Sequence, residues 1–244
     1  IKKLLYGFLV LVIVGYFGVG YYIYDASATV PCTVWEGEQT NNPSNFSGWD
    51  EYDVDVTPYF MPSYETVSID STDDVKLSAW WMQNDPQAKT VVVIHGLTSS
   101  KYSSGVLLAS GILYKSGFNV LAMDMRDHGD STCEDGYYSA GQKESDDSAA
   151  VVDWLVSEKN ISANKIGIYG QSLGALTTLQ TGAKTQNFAA IAVHDPPVAF
   201  ETLVREEMEF QGFPPSLYTP VLHYARIFKG ENLTEVTPEV AIAG

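Results

Sequence analysis

The sequence predicts an α/β protein with a mostly parallel, doubly wound sheet, preceded by a transmembrane helix. Three observations carry this. Short apolar runs without polar alternation, the kind buried on both faces of a parallel sheet, recur between stretches of helical periodicity. Lys165 to Gly174 reads Lys-Ile-Gly-Ile-Tyr-Gly-Gln-Ser-Leu-Gly, a β-forming run that turns sharply into the helical-looking Ala175 to Thr185. Leu4 to Tyr24 is an uncharged, largely apolar run of 21 residues behind Lys2 and Lys3.

About twenty apolar residues span the hydrocarbon core of a bilayer, so Leu4 to Tyr24 is long enough to cross one. The positive-inside rule keeps Lys2 and Lys3 in the cytoplasm and sends everything after Asp25 across, with Tyr21, Tyr22 and Tyr24 at the far interface. Ala26-Ser27-Ala28 also suits signal-peptide cleavage, but this apolar core exceeds the usual ~7–15 residues, and the anchor is the preferred reading. Residues 1–25 are therefore read as cytoplasmic end and single-pass anchor, with the remainder extracytoplasmic. Residues 26–63, rich in Asn, Pro, Ser, Gly and acids, read as an irregular leading segment.

Residues 64–195 carry the sheet. Glu65 to Ile69 and Lys76 to Met82 flank the turn-forming Asp70 to Asp74 and pair antiparallel. Thr90 to Ile94 and Asn119 to Asp124 are buried strands, Lys165 to Tyr169 is the strand before the elbow, and Ala189 to His194 is the strand after its helix. Val106 to Lys115 is a helix ended near Gly117, and Gln142 to Lys159 places Ala150, Val151, Trp154 and Leu155 on one helical face. Strands alternating with helices imply right-handed crossovers. Residues 196–244 change character: prolines, an acidic helix-like stretch from Phe200 to Phe210, aromatics to Phe228, and a helix start at Pro238. This is the pattern of a helical cap over the carboxyl edge of the sheet, followed by the beginning of a further part.

Lys and Arg number 14 against 30 Asp and Glu, a formal charge of −16, which excludes nucleic-acid binding because phosphate contacts need a basic surface. Cys32 and Cys133 are too few for a disulfide framework and lack the spacing of a metal knuckle. One bridge is possible in an extracytoplasmic domain, and two thiols are the alternative.

Gly170-Gln171-Ser172-Leu173-Gly174 fits G-x-S-x-G between a strand and a helix, the setting of a nucleophile elbow. Upstream, His95-Gly96-Leu97-Thr98-Ser99-Ser100 follows the Thr90 strand, and Asp124-Met-Arg126-Asp127-His128-Gly129-Asp130-Ser131 follows the next. In this order the three stretches resemble the α/β-hydrolase superfamily, and within it membrane-anchored serine hydrolases akin to serine aminopeptidases and monoacylglycerol lipases. The resemblance covers roughly Tyr64 to Gly244. It implies an α/β-hydrolase fold and Ser172 as nucleophile, with the backbone N–H groups of Leu97 and Leu173 forming an oxyanion hole. It also implies cleavage of an ester, thioester or amide in a small-molecule or peptide acyl substrate, with no cofactor and no metal. His95 is expected to brace its loop by hydrogen bonding.

The stretch from Asp124 resembles the family's D-x-R-G-H-G-x-S loop, with Asp127 where glycine is usual, which puts its local geometry in question. A metal site of Asp124, Asp127, His128 and Asp130 is the alternative, set aside because the ligands would have to converge from a mobile turn. A serine hydroxyl also needs a base, and the base needs an orienting acid. In the resembled family both follow the cap, so the chain reads as a carboxyl-terminally truncated, inactive fragment whose acid and histidine lie past Gly244. An internal triad of Ser172, Asp195 and His223 satisfies the chain order but puts its base in the cap. A non-catalytic, hydrolase-like surface binding module is the reading from another class.

Overall fold

The computed structural model describes residues 2–49, 52–197, 200–210 and 212–233. The helix start expected at Pro238 lies outside these residues.

Among the described residues six strands form one sheet: β1 (Glu65–Asp70), β2 (Lys76–Met82), β3 (Thr90–Ile94), β4 (Asn119–Met123), β5 (Ile166–Gln171) and β6 (Ala190–His194). Their order is β1-β2-β4-β3-β5-β6. β1 pairs antiparallel with β2, and β2 with β4, while β4, β3, β5 and β6 run parallel. The antiparallel hairpin follows from the acidic turn, where Asp73 and Asp74 take positive φ. Parallel neighbours need a crossover, and α2 (Ser104–Lys115), α3 (Gln142–Ser157) and α4 (Leu173–Lys184) supply it.

Alternation along the inner strands builds a core on either face, whereas β6, the outer parallel strand, has no buried residue. On β4, Leu121 and Met123 join a core with Val151, Val152 and Leu155 of α3 and Leu173 and Leu176 of α4. Val120 and Ala122 face the other core, with Val106 and Leu107 of α2. Residues of the leading segment complete this second core: Phe46, Val56 and Met61 are buried against Trp80 and Met82. The segment is therefore irregular but packed, and it carries Cys32, which is bridged to Cys133 across 101 residues. Closing so long a loop restricts the unfolded chain. Replacing both cysteines by serine is expected to lower stability by about 2–4 kcal/mol, read as a shift in the urea midpoint under non-reducing conditions. An unmoved midpoint would contradict the bridge.

The N-terminal helix α1 (Lys2–Ala28) is long and apolar enough to cross a membrane. Its first half is exposed on all sides, whereas Gly20, Ile23, Tyr24 and Ala28 are buried. What buries them is chiefly a helical layer from later in the chain, α6 (Tyr218–Tyr224) and the wide turn Ala225–Lys229 that continues it, with Val204 of α5 (Phe200–Phe210) near Tyr24 and Ala28. A side chain at Gly20 would collide with the Pro220 carbonyl, so the two helices approach at backbone distance. Tyr24 donates its hydroxyl to both oxygens of buried Glu231, at 2.9 and 2.8 Å. Burial raises the Glu231 carboxyl to about 7.

Candidate active site

The site is assembled from the carboxyl ends of β3, β4 and β5. At the end of β5 the chain reverses into α4 through Ser172, whose backbone stands at φ 53°, ψ −119°. A non-glycine residue held there is strained, and the surrounding structure must over-determine it. Close packing does so. A Cβ at Gly170 would strike the Gly174 carbonyl, and one at Gly174 would strike the carbonyls of Ile94 and His95. Only glycines let α4 lie this close to β3 and β5, which is the physical content of the motif. Ser172 N–H donates to the His194 carbonyl at 2.9 Å, and its own carbonyl accepts from Ala175 and Leu176 in the first turn of α4. The side chain is half-buried, and no hydrogen bond ties Ser172 Oγ to any described residue.

The loop after β3 lies against the elbow: a Cβ on Gly96 would stand 3.3 Å from Ser172 Cβ and 3.9 Å from its Oγ. His95 fixes this loop. Its buried ring accepts the Met125 N–H at Nε2, 3.1 Å away, so Nδ1 carries the proton and donates to the Gly96 carbonyl at 2.7 Å. Burial holds the His95 pKa well below the ordinary imidazole value, and the ring stays neutral. A trans peptide points its carbonyl and N–H in opposite directions, so anchoring the Gly96 carbonyl on His95 turns the Leu97 N–H away from that ring. Among the described residues neither Leu97 N–H nor Leu173 N–H has an acceptor. The latter lies in the first turn of α4, where backbone donors are free and the helix dipole favours negative charge.

The Asp124 to Ser131 loop is a brace. Buried Asp124 accepts from Lys101 Nζ at 2.5 Å, Lys101 N at 2.6 Å and Asp130 N at 2.9 Å. Arg126 forks onto Asp147 of α3 at 3.0 and 2.8 Å and also reaches Asp73 and Glu134. Asp127 resolves the question raised by its departure from glycine. It adopts the left-handed conformation, φ 61°, which aspartate tolerates. Its Oδ1 then accepts three successive N–H groups, from Glu134, Asp135 and Gly136, at 2.6 to 3.0 Å. Of the carboxylates in this loop, Asp124 and Asp130 both accept from Lys101 Nζ, and Asp127 accepts from the backbone downstream.

Among the described residues no histidine ring is hydrogen-bonded to Ser172. His95 is engaged as described, and His128 Nδ1 binds the Arg126 carbonyl at 2.7 Å. His223 Nδ1 is hydrogen-bonded to the Tyr16 hydroxyl of α1 at 2.7 Å. His194 stands next to the elbow in the sheet, paired with Gln171, but no hydrogen bond joins its ring to Ser172 among the described residues. Asp195 is exposed and likewise unjoined, so the internal triad is not formed. Sequence reasoning missed the leading segment's place at the site. Trp35 and Glu38 line a shallow depression of about 260 Å³ together with Leu97, Thr98, Ser99 and Ser103. No periodicity marks an irregular segment, so nothing in the sequence pointed there.

This sheet order, with a serine on a strained strand-to-helix turn, defines the α/β-hydrolase class. Residues 85–223 match the family model described as "Serine aminopeptidase, S33", and the chain belongs to that family. The chain is similar to the Pyrococcus furiosus esterase Pf2001, with 28% identity and a TM-score of 0.58, covering 86% of this chain and 72% of that one. A second crystal form of that esterase gives 30% identity over 81% and 72%, with a TM-score of 0.56. Among curated proteins, YqkD of Bacillus subtilis is 35% identical over 114 residues, 45% of this chain and 35% of YqkD. Acylamino-acid-releasing enzyme 1 of Oryza sativa is 28% identical over 111 residues, 44% of this chain and 14% of that enzyme. The chain thus matches well under half the length of either curated relative.

Proposed function

We propose that this protein is a serine hydrolase that cleaves an ester, thioester or amide through an acyl-enzyme at Ser172. The observation that carries the reading is the strained, half-open serine at the carboxyl end of β5, facing a loop with a free N–H. In the reaction, Ser172 Oγ attacks the substrate carbonyl and gives its proton to a base. The negative charge that develops on the carbonyl oxygen is met by the N–H groups of Leu97 and Leu173, and the leaving group departs with the proton. Water then releases the acyl group by the same route. Two preorganised donors suit this chemistry because they cost no reorganisation as the charge forms. The relatives support hydrolysis in general: one is an esterase and another releases acylamino acids.

The base and its orienting acid are proposed to come from outside the described residues, since no histidine ring among them is hydrogen-bonded to Ser172. That same observation favours a second reading, a hydrolase-like module that binds a ligand without turnover. A fluorophosphonate probe separates the two. Labelling of the intact protein, mapped to the Ser172 peptide by mass spectrometry, is the expected result. A folded protein that carries a histidine base and takes no label would establish the binding module.

We also infer a single-pass anchor. Helix α1 would cross the membrane with Lys2 and Lys3 on the cytoplasmic side and residues 26 onward outside, residues 64–195 forming the hydrolase core and the cap following from 196. The Cys32–Cys133 bridge supports this orientation, because disulfides persist in oxidising compartments.

A further inference from the structure

The apolar length of α1 and the place where the domain grips it do not fit a domain that stands clear of the bilayer. Only Lys2 to Gly15, fourteen residues, are exposed on all sides of the helix. At a rise of 1.5 Å per residue they reach about 21 Å, whereas the hydrocarbon core measures about 30 Å. Tilting the helix only increases the length required. From Tyr16 onward α1 is already in contact with the C-terminal helical layer. The Tyr16 hydroxyl meets His223, and the Phe17 ring meets Phe228 at 5.4 Å. Tyr21 and Tyr24 meet Tyr224 at 5.6 and 5.4 Å. The contacts run antiparallel, with Phe228 opposite Phe17, Tyr224 opposite Tyr21 and Pro220 opposite Gly20. The end of α6 therefore points back along α1 toward Lys2. Phe17 precedes Tyr24 by seven residues, about 10 Å along the helix axis.

We propose that His223 to Lys229, the end of α6 and the turn after it, is embedded in the leaflet on the domain's side of the membrane. The inference rests on the reading that α1 crosses the bilayer, and it adds a second, non-spanning membrane contact to that anchor. The surface there suits lipid. Ile227 and Phe228 are 62% and 59% exposed; Phe228 stacks on Tyr224, which in turn meets Tyr21, 49% exposed, and Tyr22, 62% exposed, meets Phe213. Such a patch is larger than isolated surface apolar residues require. In a chain of formal charge −16, no acid occurs from Gln211 to Gly230, while Arg226 and Lys229 lie in the turn. Arg226 is exposed, and its long apolar stem lets the guanidinium reach phosphate headgroups while its backbone sits deeper. Lys229 is held at the level of Tyr24 by Asp135 at 3.1 Å and lies over the Tyr137 ring. The partner is a phospholipid bilayer, and the hydrolase would be fixed at a set height and tilt above it, not swinging on a tether.

The test places an environment-sensitive nitrobenzoxadiazole label at Ile227→Cys in the full chain, reconstituted in phosphatidylcholine vesicles. Val12→Cys in the exposed half of α1 serves as the reference for spanning. Both positions are exposed, so the substitutions leave packing intact, and the bridged Cys32 and Cys133 take no label. The expected result is quenching of both labels by nitroxide lipids and of neither by aqueous iodide. The Ile227 label should respond more strongly to a nitroxide near the top of the acyl chain, and the Val12 label to one near its end. Iodide quenching at Ile227 with Val12 protected would overturn the proposal and leave the anchor standing. Iodide quenching at Val12 would remove the anchor reading and this inference with it.

Discussion

Ser172→Ala is expected to abolish turnover of an activated ester such as p-nitrophenyl acetate, by about 10⁴- to 10⁶-fold in a protein that carries its base, because triad members act as a unit. The loss should fall on kcat and leave substrate binding near its original strength, since the hydroxyl is small and the surrounding pocket is unchanged. The same assay on residues 1–244 tests whether any of the four histidines serves as the base. His95, His128 and His223 are each hydrogen-bonded elsewhere, and the His194 ring is bonded to no described residue. Without a base the hydroxyl is a weak nucleophile. Residues 1–244 are therefore expected to cleave the ester within about tenfold of their own Ser172→Ala variant, residual catalysis coming from binding and the oxyanion donors. An ordinary esterase rate that disappears with Ser172→Ala would show that one of these histidines serves after all. His194, adjacent to the elbow in the sheet, would then be the first to replace.

The parts of this architecture that repeat or alternate were legible in the sequence. Thr90 to Ile94 has no polar residue after its first and reads as a doubly covered strand, and it lies at the centre of the sheet between β4 and β5. The elbow was legible because its glycines answer a steric demand, the clash of any Cβ with the carbonyls of Ile94, His95 and Gly174. His95 was legible as a brace only in outline. That it fixes the Gly96 peptide through one ring nitrogen and the chain just after β4 through the other depends on a contact with Met125, 30 residues away. The Asp127 substitution could not be judged from sequence, because what compensates for the lost glycine is an array of three N–H groups seven to nine residues downstream. Least legible was the union of the chain's two ends. Phe17 and Phe228, or Tyr24 and Glu231, are separated by more than two hundred residues, and nothing local in either segment announces the other.

Lys101→Met is expected to be among the most destabilising single changes in the chain, by about 3–5 kcal/mol at neutral pH. Lys101 and Asp124 are both fully buried, and the ammonium also reaches Asp130 at 2.7 Å. It lies over the Trp80 and Tyr102 rings at 5.1 and 4.6 Å as well. Methionine fills nearly the same volume, so the cost is electrostatic: it leaves the Asp124 carboxylate in a low-dielectric interior with no cation. That carboxylate then escapes by taking up a proton, and burial already pushes its pKa upward in the native protein. The sign of the pH dependence follows. In Lys101→Met the folded pKa of Asp124 lies far above its unfolded value of about 3.9. The variant is therefore penalised least at low pH and increasingly as pH rises through the folded pKa. Urea unfolding of both proteins at pH 5 and pH 8 should show the gap widening at the higher value. A gap of equal size at both would mean that the loss comes from packing around Trp80 and Tyr102, not from an uncompensated charge. Adding Asp124→Leu should recover only part of the stability, because the N–H groups of Lys101 and Asp130 that Asp124 satisfies would be left buried without acceptors.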